Sequence, residues 1–207
     1  MKRTSIAAII VISSLLASVT AKAEFRYGAS AGANISSLVF KQKGLVGVTR
    51  VAGYQAGGIG EVMFPGLGFG VDFGLFYNQL GAKVNLGQRK VWSSLGYGNE
   101  RVYLHYLRIP LHLRFKWTRM MGLEDYVAPF VYGGPEIGFL LAHGKCDAFK
   151  YATGDLSLAC GFGLEIMRRW QLTGSYTWGM TYALKTKLLD DFSARNRYWT
   201  VRLSYFF

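Results

Sequence analysis

One stretch of the sequence, residues 102–117, constrains the fold more than any other. Its side chains alternate in character, which is the period of a β-strand, because successive residues leave opposite faces of the pleat. Soluble strands typically have five or six residues, whereas a tilted strand that crosses a bilayer needs roughly 9–11. Apart from His105, the apolar set is Tyr103, Leu107, Ile109, Leu111, Leu113, Phe115 and Trp117, and the interleaved set is Tyr106, Arg108, Pro110, His112, Arg114 and Lys116.

The two faces of this stretch suit different surroundings. An apolar face that ends in Phe115 and Trp117 fits lipid, with its aromatic residues at the membrane interface. The opposite face carries cationic or titratable side chains and needs water or counter-charges. The stretch is therefore predicted to be one strand of a transmembrane β-barrel.

The N-terminus has the pattern of a secretory signal peptide. Basic residues precede an apolar run at 6–16, and Ala21-Lys22-Ala23 is a typical cleavage signal. The run is too short for a transmembrane helix and no stop-transfer segment follows it, which disfavours an N-terminal anchor helix. We expect residues 1–23 to be the signal peptide and residues 24–207 to form one domain.

Composition limits the class of protein further. No apolar run of about 18 residues follows the leader, which excludes a helical membrane protein. Of the 24 Lys and Arg residues, three (Lys2, Arg3 and Lys22) lie in the leader, which leaves 21 against 12 acidic residues and a net charge of +9. A basic chain can bind nucleic acid, but no basic helix or RNA-binding aromatic signature is present here. For an exported chain we instead expect anionic lipid and lipopolysaccharide phosphate as partners, and no nucleic acid.

Eight strands are predicted in all, and the connections between them alternate long and short. Outer-membrane barrels have an even number of strands, short periplasmic turns and long external loops. The fifth segment contains Pro129 and Pro135, which normally argue against a strand and which we expect to mark bulges. The predicted strands are 27–35, 51–64, 67–82, 102–117, 126–143, 155–166, 170–182 and 198–207, with long connections at 36–50, 83–100, 144–153 and 184–196.

The predicted fold is an all-β, eight-stranded antiparallel up-and-down transmembrane β-barrel, and a soluble lipocalin is the alternative. A lipocalin would place apolar residues inside and polar residues outside. In this chain the Gly, Ser, Thr and charged residues are small enough to fill a narrow barrel, whereas the Trp and Phe residues are not. The membrane barrel is therefore preferred.

Charged residues on the predicted inner faces form the candidate site, an interior charge cluster. They must pair, because an unpaired buried charge costs several kcal/mol. The hairpin registers place Glu136 opposite Arg108, with Asp72 near the same depth. Side chains just fill an eight-stranded barrel, so a salt-bridged plug is preferred over a conducting or proton-relaying interior. The cluster comprises Asp72, Arg108, His112, Arg114, Glu136, Glu165 and Arg202.

Candidates for chemistry are few. His143, near the predicted outer rim, is the position to suspect for lipid chemistry, but no Ser accompanies it at a useful spacing, so we predict no enzymatic activity. Three histidines and two cysteines are too few and too scattered for a metal site, and no cofactor is expected. Cys146 in an outer loop and Cys160 on the lipid face are expected to be separate thiols rather than a disulfide.

Four segments of the sequence carry a family resemblance, namely Gly53-Tyr-Gln-Ala-Gly57, Val71-Asp-Phe-Gly-Leu-Phe-Tyr-Asn-Gln-Leu-Gly81, Tyr106-Leu-Arg-Ile-Pro-Leu-His-Leu113 and Gly161-Phe-Gly-Leu-Glu165. They resemble the PorT-like outer-membrane β-barrel family. The resemblance covers nearly the whole mature chain and implies an eight-stranded barrel in the outer membrane. The family's namesake is associated with protein secretion across that membrane. Members commonly carry Glu in place of Arg108 and Gly74, so the internal charge pairing is expected to differ here.

The terminal aromatic residue, Phe207, resembles the C-terminal signal that bacterial outer-membrane proteins present to the barrel assembly machinery. We predict a non-enzymatic outer-membrane protein with a filled interior, which acts in envelope structure or as an accessory to protein secretion through its outer loops or periplasmic rim. Its expected partners are outer-membrane lipid and lipopolysaccharide, the assembly machinery and proteins of a secretion apparatus. A narrow porin-like channel for small solutes is the first alternative, and a lipid A-modifying enzyme is the second.

Overall fold

The computed structural model describes residues 23–41, 47–64, 68–85, 99–117, 126–144, 149–186 and 193–207. Within these ranges there are ten antiparallel β-strands, and no helix is long and apolar enough to cross a membrane. The strands are β1 (Glu24–Phe40), β2 (Gly47–Met63), β3 (Phe69–Asn85), β4 (Asn99–Lys116), β5 (Val127–His143), β6 (Phe149–Tyr151), β7 (Gly154–Ile166), β8 (Trp170–Gly179), β9 (Leu184–Thr186) and β10 (Ser193–Phe206).

Eight of these strands close into a barrel. They pair in the order β1-β2-β3-β4-β5-β7-β8-β10, and β10 pairs again with β1. The predicted all-β, eight-stranded antiparallel barrel is therefore confirmed. The ends of β2 and β3 at Met63 and Phe69, of β4 and β5 at Lys116 and Val127, and of β7 and β8 at Ile166 and Trp170 lie at one end of the barrel, here called the turn end. The opposite end is called the loop end. At the loop end the short strands β6 and β9 pair with each other, and β9 also pairs with β10.

The strands extend further toward the loop end than predicted. β3 continues to Asn85 and β4 begins at Asn99, inside the segment 83–100 that was predicted to be a loop. The outer face of these strands carries charged residues, Lys83 and Arg101, of the kind that are common in loops. The alternate positions, such as Val84 and Val102, point inward and are buried. The predicted ends of these two strands, at residues 82 and 102, are therefore wrong. The inner face remains apolar beyond them, although the outer face is already charged.

β5 is continuous through its two prolines. Pro129 and Pro135 both lie in register opposite residues of β7. The ladder to β4 is interrupted at Gly134 and Pro135, but it resumes in the same register. The register between β4 and β5 shifts elsewhere, between His105 and Tyr106 of β4. The expectation that the prolines mark bulges is therefore wrong.

The wall of the barrel separates apolar from polar side chains by face. On the outer face, Leu113 and Phe162 are 71% and 68% exposed, whereas Arg108 and Arg114 on the inner face are 2% and 1% exposed. A water-soluble protein shows the opposite distribution. An outer wall of this kind is stable when the surrounding medium is lipid.

The β7–β8 hairpin closes through the three-residue connection 167–169, in which two residues are strained. Met167 and Arg168 have φ values of 50° and 57°, a left-handed conformation that side-chain-bearing residues adopt at some cost. Two consecutive positive φ values give the backbone twist of a type I′ turn, which matches the twist of paired strands. Nη1 of Arg26 in β1 donates a hydrogen bond to the Arg168 carbonyl at 2.7 Å. This contact ties the turn to the first strand.

The C-terminal residue lies against the first strand at the turn end. The Phe207 amide donates a hydrogen bond to the Tyr27 carbonyl at 3.0 Å, and the two rings lie 5.7 Å apart. The Phe207 side chain is largely exposed on the outside of the barrel. Its role as an assembly signal stays a prediction.

The assignment of the two faces can be tested with Leu158→Arg. Leu158 is exposed on the outer face of β7, and its neighbour Ala159 is buried inside. A charge on the lipid face near the bilayer midplane costs roughly 2–4 kcal/mol, so we expect Leu158→Arg to lower the folded fraction. Ala159→Ser, the control, should be nearly neutral. Heat-modifiable migration on gels measures the folded fraction, and equal tolerance of both changes would contradict the assignment.

Candidate functional site

The inner face of β4 carries the centre of the candidate site. Its alternation directs Arg108, His112 and Arg114 inward, and all three side chains are buried. Strand register places Asp72 of β3 directly opposite His112. All seven residues of the interior charge cluster lie on inner faces, namely Asp72, Arg108, His112, Arg114, Glu136, Glu165 and Arg202.

Arg114 is the centre of a network of ion pairs toward the turn end, here called the lower network. Its Nε donates to Asp72 Oδ2 at 2.9 Å, and its Nη1 donates to Glu61 Oε2 at 2.6 Å. Its Nη2 donates to the side-chain oxygen of Gln171 at 3.0 Å. The guanidinium carbon also lies 4.0 Å from the centre of the Phe130 ring. These contacts fix Arg114 across the interior, because they come from four other strands.

Two further cations complete the lower network. Nη2 of Arg26 lies 2.7 Å from Glu61 Oε1 and 2.6 Å from Glu165 Oε2. The Lys116 ammonium pairs with the other oxygen of Glu165. Nε2 of Gln171 lies 2.9 Å from Glu61 Oε2 and 2.8 Å from Glu165 Oε2. Each glutamate therefore has two cations and one amide as partners, as buried carboxylates require.

A glycine makes room for the stacked pair of Arg114 and Phe130. Gly163 of β7 lies on the inner face, and a Cβ at this position would lie 2.4 Å from the tip of the Phe130 ring. Such a distance is far below van der Waals contact. The small residues predicted for the inner faces thus leave space for large side chains from neighbouring strands.

Arg108 is the centre of a second network nearer the loop end, here called the upper network. Its Nη2 donates to Asp155 Oδ2 at 2.6 Å, and its Nη1 donates to the Ser157 hydroxyl at 2.8 Å. Glu136 Oε2 is more distant, 3.7 Å from Nη1. The guanidinium lies about 5 Å from two aromatic rings, those of Tyr106 and Tyr198.

These partners of Arg108 differ from the ones expected from the sequence. Glu136 was expected directly opposite Arg108, and it lies two residues away along β5. Asp72 was expected as a second partner, and it binds Arg114 instead. The expectation about Asp72 is wrong because hairpin registers give pairings along neighbouring strands only. The main carboxylate partner, Asp155, comes from β7, which is not adjacent to β4.

Two remaining members of the cluster, Glu136 and Arg202, have contrasting surroundings. Tyr198 donates its hydroxyl hydrogen to Glu136 Oε2 at 2.7 Å, and His112 Nε2 lies 3.4 Å from Oε1. Arg202 is buried without an ion pair to any residue in the described ranges. Its guanidinium carbon lies 5.1 Å from the centre of the Phe76 ring. The guanidinium thus lies over an aromatic face at a distance typical of a cation–π contact.

Beyond the upper network, the interior becomes apolar toward the loop end. A single cluster of buried side chains fills this part of the barrel, here called the apolar plug. It was not predicted, because many of its members lie in segments that were assigned to loops. The plug consists of Leu38, Phe40, Leu80, Ala82, Val84, Val102, Leu104, Tyr106, Ala183, Leu184, Ala194 and Tyr198.

The other candidates for chemistry do not assemble a site within the described ranges. His143 stacks on Tyr151 with ring centres 4.0 Å apart, and its Nδ1 lies 3.1 Å from the Gly144 carbonyl oxygen. Cys160 is a free thiol on the lipid face. No group of three or more His, Cys, Asp or Glu residues in the described part of the chain could hold a metal ion. Cys146 and the predicted signal peptide lie outside the described residues.

A closed antiparallel barrel with an apolar outer wall and an ion-paired interior is an outer-membrane type of β-barrel. In agreement, residues 16–184 match the family model described as outer membrane protein beta-barrel domain. The chain belongs to this family, and the family places it in the outer membrane. A search of curated proteins found no match for the chain.

Several solved structures are similar to this chain at low sequence identity. OprG from Pseudomonas aeruginosa has 14% identity and a TM-score of 0.48, over 88% of this chain and 94% of that one. Neisserial surface protein A has 13% identity and a TM-score of 0.48, over 90% and 99% of the two chains. Ail from Yersinia pestis, solved with the heparin analogue sucrose octasulfate, has 14% identity and a TM-score of 0.45, over 89% and 99%.

Proposed function

We propose that the protein is a non-enzymatic, PorT-like outer-membrane barrel with a filled interior, which acts in envelope structure or as an accessory to protein secretion. Its outer loops or periplasmic rim are the working surfaces in this proposal, and the interior networks hold the wall that presents them. The proposed partners are outer-membrane lipid and lipopolysaccharide, the barrel assembly machinery and proteins of a secretion apparatus, with no nucleic acid.

The observation that carries the proposal is the closure of the interior at two levels. At the lower level, Arg114 joins side chains from β2, β3 and β8 across the barrel. At the upper level, the apolar plug fills the interior with side chains that exclude water. A solute that crossed the barrel would have to break buried ion pairs and also enter an apolar core. The arrangement supports a structural or binding role more than conduction.

The turn end offers a surface suited to a partner. By the usual orientation of such barrels, short turns face the periplasm. There the β7–β8 turn presents Met167, which is 67% exposed, beside the two basic residues Arg168 and Arg169. Tyr126, 66% exposed, precedes β5 at the same end. Exposed apolar residues rimmed by charge are typical of protein-binding surfaces.

Conductance provides a direct test of the filled interior. We expect purified protein in planar lipid bilayers to show no steady open channel, because an ion that crossed the barrel would have to pass both the lower network and the apolar plug. A reproducible, ion-selective unitary conductance would contradict the proposal and favour the narrow porin-like channel. In parallel, a mass change in lipid A from cells that produce the protein would favour the lipid A-modifying enzyme.

Site-specific photo-crosslinking can locate the working surface. A photoreactive amino acid at Met167 samples the turn end, and one at Lys150, exposed in β6, samples the loop end. We expect crosslinked protein partners from at least one of these positions in living cells. The matched control is the same amino acid at Leu113, which is 71% exposed on the lipid face and should give no protein partner. Equal crosslinking at all three positions, or none at the two ends, would contradict a role through the barrel ends.

A further inference from the structure

Two cations lie directly opposite each other on the outer wall near the loop end. Lys83 of β3 and Arg101 of β4 are register partners, and both side chains are exposed. Thr49 of β2 is the register partner of Lys83 on its other side and is also exposed. These three residues, here called the basic row, cross three strands side by side. Like charges directly opposite each other destabilise a strand pair, so a bound counter-charge would stabilise this part of the wall.

The protein does not supply that counter-charge in the described ranges. Neither Lys83 nor Arg101 forms an ion pair there. The sequence contains no Asp or Glu between Asp72 and Glu100. Glu100 follows the alternation of β4 to the inner side, where its register partner is the buried Val84. Within the described ranges no carboxylate offsets the two charges, so an external anion has a place to bind between them.

The wall beside the basic row has space for a ligand. A cavity of about 530 Å³ opens at this position, lined by Gly47, Val48, Thr49, Lys83, Asn85 and Arg101. Nη1 of Arg101 also lies 3.5 Å from the Tyr103 hydroxyl, which adds a polar group just below the row. The cavity combines the two cations with the hydroxyl of Thr49, and all three groups can donate hydrogen bonds to phosphate oxygens.

The depth of the row corresponds to lipid headgroups. Counted along β3 from Phe69 at the turn end, the ten residues to Gln79 rise about 25 Å at a tilt of about 40°, which is the height of the apolar band of such barrels. Lys83 lies four residues further. Just below it, Gln79 is opposite His105, whose Nδ1 lies 2.6 Å from the Tyr77 hydroxyl. The wall of β3 and β4 thus changes from apolar to polar below the basic row.

We propose that the basic row binds a phosphate group of lipid A, the phosphorylated headgroup of lipopolysaccharide, in the surrounding leaflet. One phosphate between Lys83 and Arg101 offsets both charges through charge-assisted hydrogen bonds, while its acyl chains lie along the apolar wall below. Free inorganic phosphate has the same chemistry but no such chains. The inference names a site for the lipopolysaccharide partner of the proposed function and rests on that part of it, whereas it does not depend on the proposed role in structure or secretion.

The first experiment removes both charges. The affinity for lipid A is measured in phosphatidylcholine nanodiscs that contain increasing fractions of lipid A, with the thermal unfolding midpoint as the readout. A charge-assisted hydrogen bond to a phosphate contributes a factor of at least about ten, so Lys83→Gln with Arg101→Gln should weaken binding roughly 100-fold or more. The matched control, Arg195→Gln with Arg197→Gln, removes two exposed cations from the outer face of β10 and loses only the general attraction to an anionic surface, about fivefold for each cation, so it should weaken binding at most about 30-fold. Equal losses in the two double variants would overturn the proposal.

The second experiment reverses one charge. Lys83→Glu creates a carboxylate opposite Arg101, so the unfolding midpoint in pure phosphatidylcholine should rise above that of the wild type. Addition of lipid A should then no longer raise it, whereas it does raise the midpoint of the wild type. A Lys83→Glu variant that keeps the full response to lipid A would overturn the site. Inorganic phosphate is added without lipid A as the third arm, and equal protection of the wild type by it would overturn the assignment to lipid.

Discussion

Arg114→Met is expected to lower the free energy of unfolding by about 3–5 kcal/mol, the usual cost of leaving a buried charge without its partner. Asp72 is buried, and Arg114 is its ion-pair partner in the described part of the chain. Glu61 would keep Arg26, at 2.7 Å, as its second cation. Methionine retains most of the aliphatic volume, so lost charge pairing rather than a cavity dominates the effect. The midpoint of urea unfolding in lipid vesicles, followed by tryptophan fluorescence, measures the change.

Arg202→Met is the matched control for this prediction. It makes the same replacement on another buried arginine of the barrel, but Arg202 forms no ion pair within the described ranges. Arg202→Met leaves no ion-paired carboxylate without its partner and removes a buried charge, so we expect either a loss of less than about 1 kcal/mol or a gain in stability. A second variant, Asp72→Asn in the Arg114→Met background, should recover part of the loss because it removes the orphaned charge. If Arg114→Met were no more harmful than Arg202→Met, the lower network would not support the wall.

The faces of the barrel could be predicted from the sequence because alternation is a local property. Leu113 and Arg114 are neighbours in the chain, and the pleat alone places one in lipid and the other inside. The same holds for Leu158 and Ala159 in β7. The closed barrel could also be predicted, from the even number of alternating segments and from the alternation of long and short connections between them. None of these inferences needs knowledge of which strands meet across the barrel.

The pairing inside the barrel could not be predicted in this way. Arg114 and Gln171 are separated by 57 residues and lie on β4 and β8, which are not neighbours in the wall. Their contact depends on the diameter of the barrel and the relative heights of its strands. Arg26 was missed for a simpler reason, since the first strand was predicted to begin one residue after it. Asp155 pairs with Arg108 of β4, and hairpin registers cannot give this contact because β7 is not adjacent to β4 in the wall.

The apolar plug was missed although its signal is present in the sequence. Ala82 and Val84 continue the inward alternation of β3, and Val102 and Leu104 do the same in β4. Ala82, Val102 and Leu104 lay within predicted strands, whereas Val84 fell in the predicted loop because charged residues such as Lys83 and Arg101 flank that segment. In a membrane barrel, exposed charges can continue a strand beyond the lipid, because the strand leaves the apolar band before it ends. Alternation is therefore the better guide to strand ends at this side.

The second large effect is expected at the pair of Arg108 and Asp155. Nη2 of Arg108 lies 2.6 Å from Asp155 Oδ2, and both side chains are buried. Arg108→Leu should cost about 3–5 kcal/mol of unfolding free energy because it strands the carboxylate. Asp155→Leu should cost a similar amount because it strands the guanidinium, which cannot lose its proton. The double variant should lose less than the sum of the two by at least about 1.5 kcal/mol.

A second double-mutant cycle, with Glu136 in place of Asp155, compares the two candidate partners of Arg108. Asp155 is the partner in the structure, and Glu136 is the partner that was predicted from the hairpin register. Glu136 lies 3.7 Å from Arg108 and keeps the Tyr198 hydroxyl at 2.7 Å, so it loses less when the arginine is removed. The coupling between Arg108→Leu and Glu136→Leu should therefore be the smaller of the two. Urea midpoints of the five variants and the wild type decide between them. Additive losses with Asp155 would mean that the pair does not form, and a larger coupling with Glu136 would make that residue the main counter-charge. Arg108 would then be held by a neighbouring strand, and the upper network would no longer tie β4 to β7 across the interior.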